Sequence, residues 1–261
     1  MIKIGCDDFD ITDSLNALNC DNPYMCRIMS VYNAYGANMR FADFWCQYDE
    51  KNIAVSAVCR IDNQVTLYTT ENSDIEEIAD FISFLKPFSI LCDNKVALKS
   101  DSYVKQTGMV LKYNSDSVIN QSEQSIKVVR TPDIKKIYTL LTSTEFENFT
   151  NVDFESFYLD LSHKIRHSCA RAYAVFDGDN IISCAVVPFE TRDCAIISAV
   201  ATDKSYRNKG IASSLLKSVI SDLQLESKSI YIYREIDKNI DFYKGLNFSE
   251  KSVWSEYKIR E

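Results

Sequence analysis

Residues Val200–Leu216 read VATDKSYRNKGIASSLL, and the order of residues in this stretch points to the fold. Val-Ala-Thr ends a strand-like run that starts at Cys194. From Ile211 onward, Ala212, Leu215, Leu216, Val219, Ile220 and Leu223 recur with the spacing of one helix face. Between strand and helix lies Arg207-x-x-Gly210-x-Ala212. A loop in this setting turns successive backbone N–H groups toward one point at a helix N-terminus, where the dipole also favours an anion. Gly210 lets backbone approach a ligand and adopt angles that a side chain forbids. Ala212 keeps the first helical turn close to the same point, and Arg207 and Lys209 add positive charge. A pyrophosphate fits such a cradle. The bare pattern R-x-x-G-x-[AG] recurs by chance in roughly one or two chains in ten of this length, so its weight comes from the strand-loop-helix setting.

Outward from this stretch the second half reads strand, helices, then a run of strands. IKVVR is a short strand, and Thr131 is placed to cap a helix that opens with Pro132. A second helix covers about Phe154 to His167. RAYAVFD and NIISCAVVPFE are strands joined across Asp177–Gly178–Asp179, and CAIISAVAT is the third strand of that sheet. After the 211–223 helix come the strand SIYIYR, the helix IDKNIDFYKGL and the strand SVWSEYKI.

In the first half, Asp21–Asn22–Pro23 starts a helix that stops near Gly36. NIAVSAVCRI and QVTLYTT form a hairpin across Asp62–Asn63, residues 74–85 are helical, and FSILCD and MVLKY are strands. The same succession of hairpin, helix and strands marks a structural repeat of the second half without sequence identity. The polar segment Asn114–Ser125, NSDSVINQSEQS, lacks hydrophobic periodicity and reads as a linker. It divides the chain into a domain at 1–125 and a domain at 126–261. Both are expected to be α/β, each a mixed, mostly antiparallel sheet flanked by helices.

Charge changes at the same place. Up to Ser125 there are 10 Lys+Arg against 18 Asp+Glu, net −8; the remaining residues carry 19 against 19. This balance argues against a nucleic-acid partner, which requires a basic footprint. No apolar run approaches the ~20 residues of a membrane span. The start, MIKIGCDDFD, turns acidic at once, unlike a secretory leader. The nine cysteines form no CxxC and sit mostly in apolar segments, as expected of free thiols in a reducing cytoplasm, with no metal site. His163 and His167 are four residues apart on a helix, but HKIRH lacks the glutamate of a zinc-protease helix, and a solvated face is expected there.

The Arg207–Gly210–Ala212 segment resembles the acetyl-CoA signature of the GNAT superfamily, whose pyrophosphate loop reads Q/R-x-x-G-x-G/A. Downstream, FYKGLNF (Phe242–Phe248) is similar to the family's FYxxLGF. The order of elements from residue 126 matches as well. The resemblance implies an N-acetyltransferase that moves an acetyl group from acetyl-CoA to a primary amine, without metal. It implies that backbone groups of Val200 and Thr202 pair with the pantetheine arm. Amides of Asn208, Lys209, Gly210, Ile211, Ala212 and Ser213 would hold the pyrophosphate, and Tyr243 would protonate the departing thiolate. Asn208 and Asn247 stand where relatives carry Gly, and Asn tolerates left-handed backbone best after Gly. Ile236 stands where many relatives hold pantetheine with Asn, and Asn239, one turn on, is the candidate substitute. Cys194 stands where some relatives carry a glutamate base, and nearby Glu190 is the candidate in its place.

Two functional readings follow. One is catalysis on an amine acceptor, cationic if the acidic first half borders the acceptor site rather than merely serving solubility. The other is a non-catalytic GNAT-fold module that senses CoA or docks a partner. ENSD (Glu71–Asp74) replaces the Arg-Gly loop in the first half, so no cofactor is expected there. Sequence alone leaves the oligomeric state and the acceptor open.

Overall fold

The computed structural model describes residues 1–5, 11–19, 21–98, 102–115, 126–143, 149 and 152–260. In chain order, the first half supplies β1 (Ile2–Ile4), α1 (Thr12–Ala17), α2 (Pro23–Tyr35), β2 (Ala42–Tyr48), β3 (Ala54–Ile61), β4 (Gln64–Thr69), α3 (Ile75–Leu85), β5 (Ser89–Asp93) and β6 (Tyr103–Tyr113). The second half supplies β7 (Val128–Arg130), α4 (Ile134–Ser143), α5 (Phe154–Arg166), β8 (Arg171–Asp177), β9 (Asn180–Glu190), β10 (Cys194–Thr202), α6 (Ile211–Leu225), β11 (Ser229–Glu235), α7 (Ile240–Gly245) and β12 (Phe248–Ile259). No described helix is long and apolar enough to cross a membrane.

The chain divides between two units. The first takes Met1–Leu111, Tyr233–Lys238 and Glu250–Glu261; the second takes Lys112–Ile232 and Asn239–Ser249. Residues 116–125 of the expected linker lie outside the described residues. Against the expected split into 1–125 and 126–261, the C-terminal segment belongs with the first unit. The reason is sheet pairing: β12 lies antiparallel to β5, with Trp254 opposite Asp93 and Lys258 opposite Ser89.

In the first unit the strand order is β1-β2-β3-β4-β5-β12-β6. β1 to β4 pair antiparallel, and β4 runs parallel to β5 because α3 forms the crossover. The Asn22 side chain accepts from the N–H groups of Tyr24 and Met25 to start α2, and Pro23 gives up only an N–H that has no helical partner. Ile78 and Ile82 of α3 pack on Trp45, Val58, Val65, Leu67, Ile90 and Tyr257. Burying each such side chain stabilises by about 1.5–3 kcal/mol. Gly108 of β6 is required by close approach: a Cβ there would collide with the Trp254 ring and the Arg234 carbonyl.

In the second unit the order is β11-β10-β9-β8-β7, antiparallel from β7 to β10 and parallel between β10 and β11, across α6. Ile137, Leu140 and Leu141 of α4 and Leu161 of α5 pack on Ala172, Ala174, Cys184, Val186 and Ala201. α6 buries Leu215, Leu216, Val219, Ile220 and Leu223 as its spacing requires, but leaves Ala212 only half-buried. The expected Thr131 cap is replaced by Asp133, whose side chain accepts from Lys135 N–H, while the Thr131 hydroxyl turns back to the Arg130 carbonyl. Both units thus have the mixed, mostly antiparallel α/β arrangement expected.

Candidate functional site

The candidate site lies within the second unit, where β10 ends and α6 begins. The β9–β10 ladder shifts register twice, between Ile196 and Ser198 and between Ser198 and Ala201, and Ala199 sits at φ 43°. Such bulges bend a strand and redirect its side chains. The β10–β11 ladder spans Cys194–Ile197 opposite Ser229–Ile232, so Val200 and Thr202 lie past its end. A cavity of about 450 Å³ opens there, and its wall includes Val200, Thr202, Tyr206, Asn239, Phe242 and Tyr243.

The loop from β10 to α6 is shaped by its own side chains. The Asp203 side chain accepts from Ser205 N–H and starts a 3₁₀ turn over Lys204–Tyr206. The Ser205 hydroxyl donates to the same carboxyl, and this bond first, with the N–H bond second, holds Asp203 below the usual carboxylate range. Arg207 Nε donates to the Thr202 carbonyl at 3.0 Å, folding the loop back on its strand. Asn208 takes φ 59° and Gly210 φ 75°, both left-handed. Gly210 is the N-cap of α6 without any capping side chain, and no heavy atom lies within 4 Å of where its Cβ would be. The first amides of α6 therefore meet no cap from their own N-terminal residue. Arg207, Asn208, Gly210, Ile211, Ala212 and Ser213 all border the cavity. The sequence predicts this cluster, and the fold brings it together at a helix N-terminus suited to an anion.

Lys209 differs from that expectation in where its charge sits. Its ammonium donates to the Ser205 carbonyl at 2.9 Å and lies 4.9 Å from the centre of the Tyr206 ring. Tyr206 and Phe242 border the cavity but were not singled out by the sequence. Phe242 precedes Tyr243 in a recognisable motif and could have been inferred from it, whereas nothing in the residues around Tyr206 marks it. Tyr206 donates to Asp177 Oδ2 at 2.5 Å, and this bond raises its hydroxyl above the ordinary tyrosine value.

Asn239 caps α7 in the left-handed region, makes no side-chain capping bond, and accepts from Tyr243 N–H at 3.2 Å through its carbonyl. Tyr243 is half-buried. Its ring meets those of Phe242 and Phe248 edge-on, with centroids 5.1 and 6.0 Å away. Asn239 and Tyr243 thus share the cavity wall with the loop, whereas Ile236 is exposed outside it.

Glu190 does not join them. It faces Ala195 in the ladder while Thr202 faces Ser183, and the Ala195-to-Thr202 length at about 3.3 Å per residue separates the two by roughly 20 Å. Its carboxylate is buried and bridged by Arg171 at 2.5 Å and Lys228 at 3.1 Å. Arg171 also bridges Glu226 at 2.5 Å, which holds the Glu226 carboxyl below its usual range. A carboxylate so paired and so placed is a structural ion-pair member, and the expected role as a base acting through water is corrected accordingly. Cys194 is fully buried. The His163 and His167 rings stack 4.1 Å apart, and His167 Nδ1 lies 2.9 Å from the His163 carbonyl oxygen.

In the first unit the corresponding crossover is β4-loop-α3. There the Asp74 side chain accepts from the N–H groups of Glu76 and Glu77 at 3.0 and 3.1 Å, so the first amides of α3 are already occupied by a carboxylate. The adjacent cavity, about 560 Å³, is bordered by Asp49, Glu50, Asp74 and Glu77. The Met1 ammonium also borders it, paired with Glu77 at 3.0 Å, so carboxylates still outnumber cations on that wall.

Residues 134–248, a little under half of the chain, match the Acetyltransferase (GNAT) family model. No curated protein sequence matches the chain. Among solved structures, an acetyltransferase of the GNAT family from Colwellia psychrerythraea aligns at 13% identity over 100% of both chains, with TM-score 0.60. A tandem GNAT protein from the clavulanic acid biosynthesis pathway aligns at 11% identity over 98% of both chains, also at 0.60. A Drosophila protein aligns at 8% identity over 99% of this chain and 98% of its own, at 0.67. At these identities the likeness establishes the fold, including its tandem form.

Proposed function

We propose that this chain, with its GNAT acetyltransferase domain, is an N-acetyltransferase that takes acetyl from acetyl-CoA and delivers it to a primary amine. The observation that carries this reading is the cavity that joins the uncapped start of α6 to Tyr243. Amides from Asn208 to Ser213 would receive the pyrophosphate, with Arg207 adding charge. Val200 and Thr202, beyond the β10–β11 ladder, would pair with the pantetheine arm as an added strand. The Asn239 side chain, not engaged in capping, would hold that arm from the other side.

In the reaction the amine nitrogen attacks the thioester carbonyl, a C–N bond forms, and the C–S bond breaks with its electron pair on sulfur. Tyr243 would give its proton to that thiolate. Among the described cavity-wall residues there is no carboxylate or histidine, and in this reading the proton lost from the ammonium leaves through solvent. The same observation favours a second reading, a module that binds CoA without turnover.

A panel of amines incubated with acetyl-CoA and a thiol reagent separates these readings. Release of free thiol that depends on an amine supports catalysis. Binding of acetyl-CoA in calorimetry without release supports the module. Absence of binding removes both. If the acidic first half steers a cationic acceptor, kcat/KM for that acceptor falls steeply between ~0.01 and ~0.3 M salt; a flat profile or an anionic best acceptor removes the steering.

A further inference from the structure

Ser183 is fully buried on β9 and stands opposite Thr202 at the end of β10. Its hydroxyl donates to the Ala201 carbonyl at 3.0 Å and lies 2.9 Å from Thr202 Oγ1. A hydroxyl has one proton to donate and lone pairs with which to accept. The Ala201 carbonyl can only accept, so the Ser183 proton is committed to it. The contact between the two hydroxyls is then donated by Thr202. The Thr202 carbonyl is engaged as well, by Arg207 Nε at 3.0 Å. What the half-buried Thr202 side chain can offer the cavity it borders is therefore an oxygen lone pair whose direction Ser183 fixes.

From this geometry we infer that Ser183 is a positioning residue for the donor substrate: it locks the Thr202 hydroxyl as an acceptor for an amide N–H of the ligand arm. The inference rests on the acetyl-CoA reading above and deepens it, because the pantetheine arm carries amide N–H groups. A hydroxyl free to rotate would serve donors and acceptors alike. One whose proton is tied down discriminates in favour of an N–H and against a carbonyl in the same place.

The test is a double-mutant cycle in the full chain with Ser183→Ala, Thr202→Val and the double variant, reading KM for acetyl-CoA, kcat and the thermal midpoint. Thr202→Val is expected to raise KM by about tenfold with kcat little changed, the size of one lost hydrogen bond. Ser183→Ala should raise KM by about threefold. The double variant should be no worse than Thr202→Val, since Ser183 acts only through Thr202. Thr202→Ser, which keeps the hydroxyl, should return KM toward wild type. Additive effects on KM, or an unchanged KM in Thr202→Val, overturn the inference while leaving the donor reading intact. Should Ser183→Ala fail to fold, Ser183→Cys, whose sulfur is a weak acceptor in the same place, takes its position in the cycle with the same expectations. Absence of acetyl-CoA binding by the wild-type chain overturns the reading and the inference together.

Discussion

Arg207 donates from Nε to the carbonyl of Thr202, five residues earlier, and so closes the loop between β10 and α6 into a ring. The bond fixes the point from which Asn208 and Gly210 launch their left-handed turns. A charge-assisted hydrogen bond of this kind is worth about 1.5–3 kcal/mol. Arg207→Met should weaken acetyl-CoA binding by at least about tenfold while leaving the circular dichroism spectrum unchanged. Lysine should not restore it, since a single ammonium lacks the planar donor fork. Wild-type affinity in the Met variant, measured by calorimetry, would mean that the loop keeps its shape without this bond.

Gly210 separates strain from charge. At φ 75° with open space around its Cβ position, alanine meets no clash and costs only the left-handed penalty, about 1–2 kcal/mol. Glutamate adds a negative charge at the anion cradle. Acetyl-CoA at 100 times its dissociation constant should stabilise the wild-type chain by about 2.7 kcal/mol. The Ala variant should keep much of that thermal shift and the Glu variant none. An equal shift in Gly210→Glu would remove the pyrophosphate from this loop.

Tyr243 stands on the cavity wall, with its ring held between Phe242 and Phe248. As the acid for the departing thiolate it should be needed for turnover and not for binding. Tyr243→Phe should lower kcat by roughly 10²–10⁴ with acetyl-CoA affinity nearly unchanged. Full turnover in that variant would leave Tyr243 a packing residue.

The first unit should bind no acetyl-CoA, because Asp74 occupies the α3 amides that a phosphate would need. Calorimetric titration of the intact chain should give one site, and two equivalent sites would contradict this. Asp74→Ala should destabilise the chain by about 1 kcal/mol through loss of the cap. Chemical denaturation measures that cost directly.

The Glu226–Arg171 pair predicts a pH effect of definite sign. Arg171 holds the folded Glu226 carboxyl below its ordinary value, so the unfolded chain takes up the proton first as pH falls. The pair's stabilisation is fully present above the unfolded value of about 4.3 and is lost as pH drops through the folded one. The midpoint difference between wild type and Glu226→Gln should be constant near neutrality and shrink in acid. A difference that grows in acid would reverse the assignment.

The sequence by itself determined the elements whose signals are local. Asn22–Pro23 starts α2, the 178–179 turn joins β8 to β9, the Leu215–Leu223 stripe makes α6, and Gly210 before that stripe makes the cradle. Each depends on residues within a few positions of one another, where backbone sterics and side-chain spacing act directly. β2, ADFWCQY, was not predicted as a strand because almost every residue in it is buried, leaving no alternation to read. Ala199 gives no sign in its residue type of the bulge it occupies, since the bulge arises from the mismatch of two strands.

Only the tertiary structure decided which distant groups meet. It gave β12 to the first unit by pairing Trp254 with Asp93, a choice set by sheet hydrogen bonds between segments far apart in the chain. It withdrew Glu190 from the chemistry by placing Arg171 and Lys228 against a carboxylate that had to be buried, because a buried charge is retained only where opposite charge meets it. And it joined Ser183 to Thr202, a hydroxyl contact that no spacing along the chain encodes.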